Sequence, residues 1–222
     1  MFEENITIVA AHPDDEVLGM GGTIHKLCNA GKKVSVLFLS DGVSSRSSYR
    51  ESSDSRKLSA QLALELLGCK EIHFTDFPDN QLDTIPMLEV CKVIEKFLKS
   101  SSPDTVFTHF PFDLNVDHRI VSEATRVASR PSTSSTVKNL LFFEVLSSTG
   151  WNFSSRPFSP NLFIEIENEF ESKILAMQKY EKEVNSYPNA RSFKAMEALA
   201  VYRGATVGKL KSEAFEVGFI RT

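Results

Sequence analysis

The first 146 residues alternate between two hydrophobic periods, and this alternation constrains the fold more than any other feature of the chain. Short β-branched runs fall at residues 6–10, 34–39, 71–74, 105–108 and 137–145, each of strand length. Helical spacing fills the gaps between them. Leu58, Leu62 and Leu66 recur every four residues behind Asp54, the expected N-cap, with Gly68 past the end. Leu88, Cys91, Ile94 and Leu98 follow Thr84-Ile85-Pro86 at spacings of three and four, up to Ser100-Ser101-Ser102-Pro103. A third helix is predicted from about residue 117 to 129, stopped by Arg130-Pro131. Strands and helices alternating in this way form a mostly parallel sheet covered on both faces, a Rossmann-like three-layer α/β fold. Ligands in such folds sit outside the carboxyl ends of the strands. Chemistry is therefore expected just after Ala10, Leu39, Phe74 and Thr108.

The remainder is less regular. It has an aromatic, Ser-rich stretch at 147–160, a strand at 162–166, a helix from about 169 to 184 and another after Ser192. There is no internal repeat, and the Ser-rich patches at 44–55 and 132–135 read as loops. We expect one domain over residues 1–222: a core at 1–146 and a C-terminal extension at 147–222 that contributes to the substrate groove. The 25 basic and 29 acidic residues give a formal charge of −4 without basic runs, which argues against a nucleic-acid partner. No stretch reaches the roughly 20 apolar residues of a membrane span. The acidic start Met1-Phe2-Glu3-Glu4-Asn5 leads into the first strand with no secretory pattern, so a cytoplasmic location is expected. Cys28, Cys69 and Cys91 form no CxxC pair and read as buried thiols.

Ala11-His12-Pro13-Asp14-Asp15-Glu16 follows the first strand directly. Pro13 and the three carboxylates would suit the start of any helix. His12 adds a ligand type, and a strand-to-helix turn lets residues 12 and 15 point at one place. A catalytic zinc needs three protein ligands and an open position. The third is available after the fourth strand, in Phe112-Asp113-Leu114-Asn115-Val116-Asp117-His118. His118 would complete a His/Asp/His set, with Asp117 supporting a ligand or capping the next helix.

These two segments resemble the PIG-L/LmbE family of zinc-dependent N-deacetylases, Rossmann-like enzymes acting on N-acetylglucosamine-containing substrates. Residues Phe74 to Asp83 look like the family's substrate loop. Glu144 to Trp151, Arg191-Ser192, Arg203-Gly204 and Glu213-Ala214-Phe215 resemble the bacterial branch associated with surface polysaccharides. The resemblance implies one Zn²⁺ or another divalent metal per chain, held by His12, Asp15 and His118, with Asp14 as general base. It implies a small acetamido-sugar substrate, nucleotide- or lipid-linked or a bacillithiol-type glucosaminide, and leaves room for a homo-oligomer. Arg56, Asp79 and Asn115 are expected to bind substrate, although Arg56 could equally be a solvated first-turn side chain and Asp79 part of an ordinary Pro-Asp-Asn turn; Trp151 could stack on the substrate or pack in the core.

Two positions depart from the family pattern. Asn115 stands where many members have a His, so an amide replaces an imidazolium at the oxyanion, unless His109 substitutes. Ser59 stands where a Glu often accompanies Arg56. Three rivals fare worse. Gly19-Met20-Gly21-Gly22 comes too late after the strand for a dinucleotide fingerprint, and instead lets the helix pack closely. Asp113-x-Asn115-x-Asp117 opens like a calcium loop but lacks its later Gly and Glu. The Asp-rich loops offer little cationic density for phosphoryl transfer. A non-catalytic Rossmann-like binding module stays open.

Overall fold

A computed structural model of the chain describes residues 2–45, 52–133, 135–151 and 156–222. The five predicted core strands are β1 (Asn5–Ala10), β2 (Lys33–Ser40), β3 (Glu71–Phe77), β4 (Thr105–His109) and β5 (Asn139–Phe143); the extension adds β6 (Leu162–Glu165) and β7 (Ser212–Ile220). They form one sheet of order β3-β2-β1-β4-β5-β7-β6, parallel through the first five and antiparallel on both sides of β7. The chain runs outward from β1 to β3 and returns to β4 on the other side of β1. The crevice between β1 and β4 is thus the topological switch point, where open α/β sheets bind ligands. Pairing of Ile6 with Thr105 and of Val9 with Thr108 sets the carboxyl ends of these two strands level. Central strands buried on both faces explain the near-continuous apolar runs.

The helices are α1 (Asp15–Asn29), α2 (Ser53–Leu66), α3 (Met87–Ser101), α4 (Val116–Ala128), α5 (Leu146–Thr149), α6 (Phe170–Met177) and α7 (Phe193–Ala205). Helices α1, α2 and α6 bury Val17, Ile24, Ala63, Leu64 and Met177 against one sheet face. Helices α3 and α4 bury Val90, Ile94, Leu98 and Val121 against the other. The cap of α2 is Ser52, whose hydroxyl accepts from Ser55 N at 3.1 Å, and not Asp54, which falls inside the first turn. The helix expected to reach about residue 184 ends at Met177 and tightens into a 3₁₀ turn, Gln178–Tyr180. Strand β7 was not expected: Glu213 and Glu216 break its apolar pattern, yet both are buried because Lys173 and Arg156 pair with them. Residues 46–51, 134 and 152–155 of the Ser-rich stretches lie outside the described residues.

Helix α1 is kinked at Met20 (φ −153°, ψ 25°), and the groups freed there find partners in the extension. The Glu213 carboxylate accepts from Gly22 N (3.0 Å) and Thr23 N (2.7 Å), while Lys173 Nζ donates to Leu18 O (2.9 Å). The glycines let this helix approach the sheet, as the sequence indicates. A Cβ on Gly19 would lie 2.5 Å from Phe143 Cδ2, and one on Gly22 2.9 Å from Ile166. Gly19→Ala would gain about 1 kcal/mol in helix propensity and lose about 1–3 kcal/mol to overpacking against the buried Phe143 ring. The expected result is a lower urea midpoint; a raised midpoint would mean that α1 does not sit this close.

Candidate metal centre and active site

Backbone geometry brings the first group of side chains together. The turn 12–15 leaves β1 and enters α1 at once, with Asp15 N donating to His12 O at 3.3 Å. Asp14 takes φ 115°, a left-handed conformation uncommon outside glycine and costing on the order of 1–3 kcal/mol. Such conformations cluster at active sites, and this one lies between His12 and Asp15. Four residues past β4, Asp113 opens the second group, and Asn115 caps α4 by accepting from Asp117 N (2.8 Å) and His118 N (3.4 Å). This cap turns Asp117 and His118 inward, where both are buried.

The two groups meet around one carboxylate oxygen. Asp15 Oδ2 lies 3.3 Å from His12 Nδ1 and 3.2 Å from His118 Nε2. One donor atom from each of these residues falls within 4.8 Å of the others, a spacing that suits a shared cation. Asp15 Oδ1 is buried without a hydrogen-bond partner, a costly state for a carboxylate that a bound cation would relieve. The far nitrogens are held by further carboxylates: His12 Nε2 by Asp117 Oδ2 at 2.9 Å, and His118 Nδ1 by Asp113 Oδ1 at 3.2 Å. Carboxylate–histidine pairs of this kind fix the tautomer that leaves the other nitrogen free for a metal. His12, Asp79 and Asp117 form a second possible set. There, however, both Asp117 oxygens already accept from the amides of Asn80 (2.8 Å) and Leu82 (3.0 Å). The donor set His12, Asp15 and His118 therefore fits a metal better.

Electrostatics agrees with a site built for positive charge. Burial alone would raise the Asp15 carboxyl, but His118 and His12 hold it well below the usual carboxylate range. Burial opposes protonation of His118, yet Asp15 and Asp113 carry it up to about 9. His12 is likewise raised well above 6.5 against its burial, by Asp117, Asp15 and Asp79. His109 behaves differently: burial and His118 push it well below 6.5.

The remaining expected residues are placed as follows. Asp14 is buried, and burial raises its carboxyl against the pull of Arg191 and Arg56. Its Oδ2 meets Arg191 Nη1 (2.5 Å) and Arg56 Nη2 (3.1 Å), while Oδ1 has no partner. Arg56, expected at the substrate, is 1% exposed and lies beneath Asp14, with Nη1 2.7 Å from Glu183 Oε1. Glu183 thus gives Arg56 a carboxylate partner, which Ser59 does not. Asp79 lies beside the metal group, Oδ1 3.2 Å from His12 Nε2, with Oδ2 accepting from Ser45; His12 and Ser45 bring it down to about 2 despite burial. Asn115 spends its carbonyl on the cap, and its Nδ2 donates to Asn80 Oδ1 at 3.2 Å. His109 cannot supply an imidazolium: its Nε2 accepts from Ala11 N (2.8 Å) and its ring stacks on His118 at 3.9 Å. Trp151 is exposed, outside the core. The sequence reading missed the roles of Asp113, Glu183 and Arg191; Asp113 had a local signal in its alternation with Asn115 and Asp117, and Arg191 stood out only in the resemblance to the bacterial branch.

The three-layer α/β fold sets at its switch point a His/carboxylate group that could hold a metal ion, and the comparisons say to which family such a chain belongs. The PIG-L family model, described as GlcNAc-PI de-N-acetylase, matches residues 7–129. The chain belongs to that family and is a deacetylase of it. Diacetylchitobiose deacetylase of Thermococcus kodakarensis is 29% identical over 192 residues, 81% of this chain and 70% of the relative. Among solved structures, the conserved protein TT1542 of Thermus thermophilus matches with TM-score 0.80 and 22% identity, covering 100% of this chain and 97% of that one. GalB, the 4-carboxy-2-hydroxymuconate hydratase of Pseudomonas putida, matches with TM-score 0.77 and 19% identity over 99% and 98%. These structural likenesses show the fold alone, and the fold does not choose the reaction.

Proposed function

We propose that the chain is a zinc-dependent hydrolase that removes the N-acetyl group from a small acetamido sugar. The observation that carries this is the meeting of His12 Nδ1, His118 Nε2 and Asp15 Oδ2 beside Asp14, whose Oδ1 has no partner. His12, Asp15 and His118 would hold a divalent cation, which would supply Lewis acidity toward the amide carbonyl and toward a water. Asp14 Oδ1 accepts the proton of the attacking water and returns it to the leaving nitrogen as the C–N bond breaks, giving acetate and an amine. Asp117 and Asp113 hold the imidazoles in place. Asp79 and the Asn115 amide serve the sugar hydroxyls, and Arg56 serves the site through Asp14. The relative that deacetylates diacetylchitobiose supports an acetamido-sugar substrate.

In this reading the protein is one domain. The extension shapes the groove, since Ser148 and Thr149 donate to Asp113 Oδ2 at 3.1 and 2.5 Å. We place the enzyme in the cytoplasm, in surface-glycan synthesis with a nucleotide- or lipid-linked sugar; among the described residues no helix is long and apolar enough to cross a membrane. The test is release of acetate, with an equal amount of free amine, by the zinc-loaded protein. Substrates should include N-acetylglucosamine, diacetylchitobiose, a nucleotide-linked N-acetylglucosamine and a bacillithiol-type glucosaminide. Release from any of them is expected. No metal uptake on incubation with zinc would overturn the hydrolase reading and leave a binding module.

A further inference from the structure

Among the described residues, Asp14 belongs to a ring of alternating charge that amide hydrolysis does not by itself require. Its Oδ2 meets Arg56 Nη2 at 3.1 Å; Arg56 Nη1 meets Glu183 Oε1 at 2.7 Å; Glu183 Oε2 meets Arg191 Nη1 at 2.7 Å; and Arg191 Nη1 returns to Asp14 Oδ2 at 2.5 Å. Among the described residues, each of the two carboxylates faces both guanidiniums, so opposite charges alternate around the ring. Asp14, Arg56 and Glu183 are almost wholly buried, whereas the Arg191 side chain is 24% exposed. Arg191 is also anchored outside the ring, its Nε donating to Ser147 Oγ at 3.2 Å. The Arg56 guanidinium lies over the Tyr180 ring at 5.2 Å, which closes the ring from below.

The ring solves a mechanical problem. Asp14 sits in a left-handed backbone conformation and makes no capping bond to α1. A carboxylate on such a turn has nothing local to fix its rotation. Both cations bind the same oxygen, Oδ2, which leaves Oδ1 uncommitted. Glu183 touches both guanidiniums and holds two like charges side by side on one acceptor atom. Without it, their repulsion would spread them and release the carboxylate.

We propose that Arg191 and Glu183, both from the C-terminal extension, are positioning residues for the general base: they lock Asp14 Oδ2 so that Oδ1 is presented to the reacting water. This rests on the deacetylase reading above, and acts through Asp14 and not through contact with substrate. The two residues make the extension part of the catalytic apparatus, a role distinct from shaping the groove.

The test compares Arg191→Ala, Arg191→Lys and the near-isosteric Glu183→Gln with wild type, on the substrate wild type cleaves. Metal per chain, urea midpoint, kcat and KM are measured for each. For Arg191→Ala the expected result is a fall in kcat of about 100-fold, the cost of misplacing a catalytic group by about 1 Å, with KM within about threefold and metal content unchanged. Guanidinium ion added at low millimolar concentration should restore part of that kcat while leaving wild type unaffected, which a merely structural role would not produce. Glu183→Gln should lower kcat in the same direction, with KM and metal retained. The proposal is overturned if kcat is kept while KM rises, since Arg191 would then be a substrate anchor. It is also overturned if the kcat loss merely follows metal loss or unfolding and guanidinium restores nothing. Failure of wild-type, metal-loaded protein to release acetate would overturn both readings; normal wild-type turnover with an unaltered Arg191→Ala kcat would overturn only this one.

Discussion

Asp14→Asn is expected to bind metal as wild type does and to lose about 10²–10⁴-fold in kcat, the usual contribution of a positioned general base. Asparagine is the informative substitution for two reasons. It keeps the size of the side chain, and it tolerates the left-handed φ of 115° that this residue adopts, whereas alanine at the same φ adds strain. With an unchanged urea midpoint, loss of activity in Asp14→Asn reports the proton-accepting oxygen and not the lost countercharge to Arg56 and Arg191. KM should move little, because Asp14 Oδ2 faces Arg56 and Arg191 and not the substrate. The residues of the metal group do not use Asp14 as a ligand in the donor set His12, Asp15 and His118, so metal per chain should equal wild type. Near-normal turnover in Asp14→Asn would remove this residue from the base role and send the search to Asp79, which also lies beside His12.

What the sequence disclosed and what it concealed follow from the range of the interactions. His12, Asp14 and Asp15 share one turn at the end of one strand, so their spacing alone places them together. His118 required in addition that β4 lie beside β1; the strand–helix alternation implied a parallel sheet but not its strand order. The partners of Asp14 were hidden for the opposite reason: Arg191 is 177 positions away, and a lone arginine or glutamate in an irregular segment carries no periodic signal. Arg56 was legible as a residue but not in its surroundings. Its countercharge comes from Glu183 across the fold, although the local position for one is Ser59. Strand β7 escaped because strand patterns assume polar residues face water. Glu213 and Glu216 instead point at Lys173 and Arg156, which makes buried glutamates affordable in the sheet. Asp113 and Asp117 were visible as an alternating acidic run, but only the fold assigns one to each histidine.

Removing a metal ligand and removing its support should separate by magnitude. His118→Ala deletes Nε2, leaving His12 and Asp15, and is expected to yield protein that holds no metal after dialysis and releases no acetate. Asp113→Asn keeps His118 but weakens the acceptor of its Nδ1–H; metal affinity should fall by about 10–100-fold, with activity recovered at higher metal concentration. Asp15→Ala should match His118→Ala, and elemental analysis of the three variants beside wild type decides the assignment. Retention of full metal by His118→Ala would mean that the third ligand is another residue. The same site should bind metal more tightly as pH rises. In the metal-free protein Asp15 and Asp113 hold His118 protonated up to about 9, against burial, and His12 is raised well above 6.5, so uptake at neutral pH must expel protons. Each proton displaced makes affinity climb about tenfold per pH unit below the pKa of its group. Zinc titrations at pH 6 and pH 7 should therefore differ by about tenfold or more in wild type. Equal affinities at the two values would mean that both imidazoles are already neutral in the metal-free protein, against the upward pull of Asp15, Asp113 and Asp117.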